Sequence, residues 1–228
     1  MVRENLEQLR ERIAAAARSA GRDPSGIRLI AVTKGVPVER IREAVSCGVR
    51  EIGENRVQEA VEKRQVLGTV PFGDSPQISW HLIGHLQRNK ARLAAELFDA
   101  VHSVDSPELV EALETCERKI QVLIQVNVSG EATKHGCRPE EAEGLAAAIA
   151  RGKHLKLSGL MTLAPFSEDP EQARPVFRKL RLLRDALQKQ GFSVPHLSMG
   201  MSHDFEAAVQ EGATMVRIGT AIFGERNG

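Results

Sequence analysis

The chain has 228 residues, and its 31 basic and 30 acidic side chains leave a net charge of +1. That balance lacks the basic footprint of a nucleic-acid binder, and the length suits one α/β barrel. There is no long uninterrupted apolar span, and the opening MVRENLEQLRERIAAAARSAGR alternates charge with apolar residues at helical spacing, so neither a membrane span nor a targeting signal is expected.

In chain order, residues 1–22 read as an extra amphipathic helix, centred on 6–20, that packs on the domain to follow. Short apolar runs then alternate with helical patterns almost to the end. Strands are expected over 28–33, 49–53, 79–84, 100–104, 121–127, 155–163, 196–199 and 215–219. Helices are expected between them over 38–47, 57–67, 89–97, 107–118, 139–151, 171–190 and 205–211, and TAIFG after the last strand could form one more short helix. Ser106 before Pro107 is an N-cap signal, and Gly191 marks the end of the long helix. The stretch 68–77, rich in glycine and proline, reads as a loop. Eight βα units imply a parallel (β/α)8 barrel of the TIM type, in a single domain over residues 1–228. Runs such as LIAV and VLIQV suit strands covered on both faces.

Cys47, Cys116 and Cys137 are odd in number and widely spaced, as expected of reduced thiols in the cytoplasm. His81 and His85 lie four apart in the strand-like WHLIGH, which does not present both imidazoles on one helical face, so no metal site is expected from the pair. The surface helices have no apolar stripe to spare, which points to a monomer.

Barrel chemistry sits at the carboxyl ends of the strands. Lys34 follows LIAVT directly and is placed either as an amine nucleophile toward a carbonyl or as a rim lysine reaching solvent. At the last two strand ends, HLSMGMS and MVRIGT offer Ser198, Gly200, Ser202, Gly219 and Thr220, whose hydroxyls and backbone N–H groups suit a phosphate; ordinary glycine turns are the plainer reading. Arg217 alternates with Val216 and Ile218 and faces the same mouth, either against a ligand or paired with a carboxylate. Asn55 and Met161 stand at two further strand ends, as a hydrogen-bonding group and an apolar wall. Together these positions suggest a ligand bearing both an aldehyde and a phosphate.

AVTKGVP, GENRVQEA, WHLIGHLQRNK, VNVSGEATKHG, GLMTLAP and LSMGMSHDFEAAVQEGATMVRIGTAIFG resemble, in order, the pyridoxal phosphate homeostasis protein family. The resemblance implies a barrel like the amino-terminal domain of alanine racemase. Lys34 would be the Schiff-base lysine for pyridoxal 5′-phosphate and Arg217 the partner of the pyridine nitrogen. Gly219, Thr220 and a serine, Ser198 first and Ser202 second, would hold the phosphate, with Asn55 and Met161 lining the cofactor. The function implied is carriage or buffering of the cofactor, with apo pyridoxal phosphate enzymes as recipients and no catalytic residues assigned. The alternatives are a weak amino-acid racemase and a cofactor-free Schiff-base aldolase. The chain has no tyrosine and ends at Gly228, so the tyrosine-bearing second domain of alanine racemase is not expected.

Overall fold

The apolar runs form the staves of a closed barrel. The computed structural model describes residues 1–67, 78–131 and 133–225; the loop expected over 68–77 lies outside the described residues. The strands are β1 (Arg28–Val32), β2 (Glu51–Glu54), β3 (Ser79–Leu82), β4 (Ala100–Val104), β5 (Ile120–Gln125), β6 (Leu155–Met161), β7 (His196–Ser198) and β8 (Met215–Ile218). They pair in parallel in chain order, and β1 closes on β8 with Ile30 opposite Arg217.

Period-two alternation sorts the side chains into two populations. Val216 and Ile218 of β8 join the large core between sheet and helices, whereas Met215 joins Ile30, Leu123 and Met161 in a small separate cluster inside the barrel. Around the sheet run α1 (Val2–Ser19), α2 (Val38–Ser46), α3 (Val57–Leu67), α4 (Ala91–Leu97), α5 (Pro107–Glu114), α6 (Ala142–Arg151), α7 (Arg174–Lys189), α8 (Phe205–Gln210) and α9 (Thr220–Phe223). The extra helix α1 packs against α8, α9 and α2, so it spans the seam where the barrel closes. Asn5 Nδ2 donates to the carbonyl of Ile222 at 2.9 Å and Arg22 donates to that of Ala213 at 2.8 Å, fixing both ends of this helix to the last βα unit.

The expected helix signals act as read. Ser106 Oγ accepts from the amide of Leu109 with Pro107 in the first turn, and Gly191, at φ 92°, follows α7 in the left-handed conformation that glycine adopts without strain. Several helices are shorter than their patterns; α4 and α6 begin at Ala91 and Ala142, after 3-10 turns over Arg88–Lys90 and Pro139–Glu141. α7 begins at Arg174, after a 3-10 turn over Pro170–Ala173, because Pro175 has no amide to donate and fits only the first turn. α5 stops at Glu114, and Glu117 then takes a positive φ of 53° as the chain reverses into β5.

Gly159 of β6 marks the tightest strand contact, since a Cβ there would lie 2.1 Å from the carbonyl oxygen of His196 on β7. Gly144, exposed in the middle of α6, has nothing within 4 Å of an added Cβ. Urea denaturation should therefore separate the two. Gly159→Ala is expected to lose about 1–3 kcal/mol or more through backbone overpacking, while Gly144→Ala gains roughly 0.5–1 kcal/mol from reduced unfolded-state freedom.

Candidate functional site

The strand ends on one side of the barrel surround a cavity of about 520 Å³. Its lining includes Lys34, Asn55, Ser202, Arg217, Gly219 and Thr220, with Val32, Ile83 and Leu163 as apolar walls. Lys134, His85, His135 and His203 also reach it, and no aspartate or glutamate is among the lining residues. The cavity is thus cationic and suits an anionic ligand.

Lys34 lies immediately beyond β1, half-buried, and Gly35 turns the chain behind it at φ 66°. A second lysine holds that turn. Lys63 of α3 is buried, and its ammonium donates to the carbonyl of Thr33 at 2.5 Å, to Glu54 Oε1 at 2.7 Å and to Glu59 Oε1 at 2.6 Å. An ammonium has three protons, so Lys63 is saturated. Glu54 also accepts from the Thr33 hydroxyl and Glu59 from the amide of Gly35. Burial pushes the Glu54 carboxyl up, opposed by its bonds to Lys63 and Thr33. The residues on either side of Lys34 are therefore fastened, while its own amine makes no hydrogen bond among the described residues.

Arg217 on β8 is 3% exposed and donates to Ser198 Oγ at 2.6 Å and to the carbonyl of Thr162 at 2.8 Å. No carboxylate stands within ion-pair distance of it among the described residues; burial lowers its pKa to about 10, with Asp204 the opposing charge. The structure therefore gives no support to the ion-paired alternative. Because a guanidinium only donates, the Ser198 hydroxyl must accept from it and pass its own proton to His102 Nδ1, 2.9 Å away. His102 Nε2 then donates to His81 Nδ1 at 2.9 Å, and His81 Nε2 points to Glu51 Oε2 at 3.5 Å. Glu51 in turn accepts from Arg28 at 2.6 Å. Burial holds both rings neutral, lowering the His81 pKa to about 3 and that of His102 well below its ordinary value.

Two of the expected site residues lie below the cavity. Ser198 is fully buried within this chain of hydrogen bonds, and Met161 is fully buried in the inner apolar cluster. Ser202, by contrast, is on the cavity wall, and its Oγ accepts from the amides of Gly219 at 3.2 Å and Ala221 at 3.3 Å. Its hydroxyl oxygen thus occupies a position against backbone donors that a phosphate oxygen would also favour. Asn55 is held by close backbone approach, because a Cβ at Gly84 would lie 2.2 Å from its carbonyl oxygen. His81 and His85 diverge, one into the barrel interior and one onto the rim. Sequence reasoning missed the Lys63 clamp and the paired histidines. His102 and Ser198 fall at alternate positions of their strands and could have been found by the period-two reading that singled out Arg217.

A closed parallel barrel with a strand-end lysine and a buried arginine facing one cationic cavity is the class of protein defined here, and sequence comparison agrees. The family described as "Alanine racemase, N-terminal domain" matches residues 5–227. A pyridoxal phosphate homeostasis protein of Aquifex aeolicus (strain VF5) is 45% identical over 98% of this chain and 97% of its own. That of Escherichia coli (strain K12) is 43% identical over 98% and 96%. The chain belongs to the pyridoxal phosphate homeostasis protein family. Among solved structures, PipY of Synechococcus elongatus PCC7942 with pyridoxal phosphate bound superposes with a TM-score of 0.83, at 36% identity over 98% of this chain and 100% of that one. Alanine racemase of Corynebacterium glutamicum shares the fold, with a TM-score of 0.67 at 20% identity, over 97% of this chain and 62% of that one.

The neutral histidines give stability a definite pH dependence. Unfolded histidine titrates near about 6.5, whereas folded His81 titrates at about 3 and His102 is also depressed. Below the unfolded value the unfolded chain binds more protons, so stability present above it is lost as pH falls toward the folded values. The urea midpoint should drop between about pH 6.5 and 4, and the drop should be shallower for His81→Asn than for the parent chain.

Proposed function

We propose that this protein binds pyridoxal 5′-phosphate in the barrel cavity, through Lys34, and serves to store and deliver it. The observation that carries the reading is that Lys34 and the uncompensated guanidinium of Arg217 face one cavity lined by no acidic residue. When bound, the cofactor supplies an aldehyde that bonds covalently to amines and a pyridine ring that withdraws electrons. Lys34 supplies the amine, on a turn that Lys63, Glu54 and Glu59 hold still. Ser202, whose Oγ accepts from the amides of Gly219 and Ala221 and keeps its own proton to give, would donate to the phosphate together with Thr220. Arg217, able only to donate, would meet the ring nitrogen as an acceptor and keep it unprotonated. Asn55 would line the ring, while Ser198 and Met161 act from beneath, the first by orienting Arg217 and the second as apolar floor.

An unprotonated ring is a weaker electron sink, which favours retention over turnover. The racemase reading also needs a base on the face opposite the lysine, and the sequence contains no tyrosine for that role. We read the protein as a cytoplasmic monomer that hands the cofactor to apo-enzymes requiring it. The free thiols of Cys47, Cys116 and Cys137 support a reducing compartment, and no described helix is long and apolar enough to cross a membrane.

Borohydride reduction of the protein loaded with pyridoxal phosphate should fix a phosphopyridoxyl group on the peptide containing Lys34, read by mass spectrometry. Lys34→Ala should abolish this label and leave thermal unfolding nearly unchanged; label on Lys134 alone would remove Lys34 from the role. In the functional assay, loaded protein mixed with an unrelated apo-enzyme should restore that enzyme's activity, with Lys34→Ala as the control. Optical rotation of L-amino acids should stay constant over the same period, and rapid Lys34-dependent racemisation would overturn the carrier reading.

A further inference from the structure

The rim of the barrel carries a set of side chains that cofactor binding does not use. His85 follows β3, Asp105 follows β4, and His135 lies between β5 and α6. One ligand atom from each lies within 4.8 Å of the other two. His85 Nδ1 stands 3.8 Å from Asp105 Oδ2, and the two imidazoles are stacked with centroids 4.0 Å apart and planes 12° from parallel. Neither ring makes a hydrogen bond to a protein group among the described residues, so their nitrogens are open to a ligand.

The backbone that carries His135 is built rather than loose. Its carbonyl accepts from Gln125 Nε2 at 3.0 Å, and the next turn of chain is tied to β5 by Cys137 N to Gln125 O and Asn127 N to Cys137 O, both 2.9 Å. Gly136, at φ 121°, passes so close to β5 that an added Cβ would lie 2.7 Å from the amide nitrogen of Asn127. His85 and Asp105 project from the ends of adjacent strands of the rigid sheet. Three ligands from three fixed segments thus converge without any one of them packing into the core.

From this convergence we infer a binding site for a divalent transition-metal ion of the zinc class, held by His85, Asp105 and His135. Two imidazoles and one carboxylate suit zinc, cobalt or nickel; calcium and magnesium prefer oxygen donors throughout. Ligands on a tetrahedral zinc lie roughly 3.3 Å apart, from metal–ligand bonds of about 2.0–2.1 Å, so the ligand atoms need to close by little, while the two stacked imidazoles must turn out of parallel for each to present its in-plane lone pair to the ion. The fourth position is left for water or a ligand group. His85 and His135 both line the cofactor cavity, as does Lys134 beside His135. Metal binding would therefore pin the segment carrying Lys134 and His135 across the mouth. This site does not depend on the cofactor assignment, since none of its ligands holds the cofactor in that reading.

The test uses the purified chain freed of metal with a chelator and free of pyridoxal phosphate, which binds metals itself. Titration with zinc chloride by calorimetry should give one equivalent per chain, and cobalt(II) should give the intense visible bands of a four-coordinate site. His85→Ala, His135→Ala and Asp105→Asn should each weaken zinc binding by about tenfold or more, while His203→Ala leaves it unchanged. Zinc should raise the melting temperature of the parent chain and of His203→Ala, and not that of the other three. Asp105→Asn keeps the side-chain shape, so it decides the matter even if an alanine variant folds poorly. Absence of saturable binding, or binding by Asp105→Asn equal to that of the parent chain, would overturn the inference.

Discussion

A buried guanidinium with no carboxylate beside it must find neutral acceptors, and meeting that demand orders the inside of this barrel. Arg217 can only donate, so Ser198 must accept, and the orientation is passed through His102 to His81, whose Nε2 stands 3.5 Å from Glu51 without a hydrogen bond. Each proton between Arg217 and His81 has one place to be, without any titration. The same bonds bear on the architecture. β7 has three residues and meets β8 in register only at Ser198 and Met215. Arg217 bridges from β8 to Ser198 and on to the carbonyl of Thr162 just beyond β6, reinforcing the thinnest part of the wall.

The interior that results is unlike the apolar filling usual in such barrels. Ile30, Leu123, Met161 and Met215 form a small apolar plug, and the polar path runs beside it. Above the plug the cavity presents lysine, arginine and histidine with no carboxylate; at the other end of the path Glu51 meets Arg28. The far end is thus a neutral ion pair, and the cationic groups collect at the cavity, where an anion would enter.

Much of this was legible in the sequence, because barrels write their sites at strand ends. Position alone placed Lys34 and Arg217 at the barrel mouth, where both line the cavity, since each terminates or alternates within an apolar run whose strand formed where expected; it left the role of each open. Which of Ser198 and Ser202 stands on the cavity wall was not legible. It depends on whether the chain leaves β7 before or after Met199, and strand boundaries are not set by local pattern. Lys63 was hidden for another reason. The charged helix VQEAVEKRQVL reads as a solvated surface, and only the packing of α3 against β2 turns its single lysine inward. His85, Asp105 and His135 are separated in sequence by whole βα units, so no spacing rule could join them.

The clamp on the β1 turn carries a kinetic consequence. Lys63 has all its protons committed to Thr33, Glu54 and Glu59, and Lys34 beside it has none committed among the described residues. One amine is a permanent fixture and the other a vacant hand. Loop opening is not needed to expose the vacant one, because its neighbours are already anchored in the conformation that presents it. On the proposed function, loading and unloading would then run at the pace of carbonyl–amine chemistry in water. Solvent viscosity, which slows large backbone excursions, would leave those rates almost untouched.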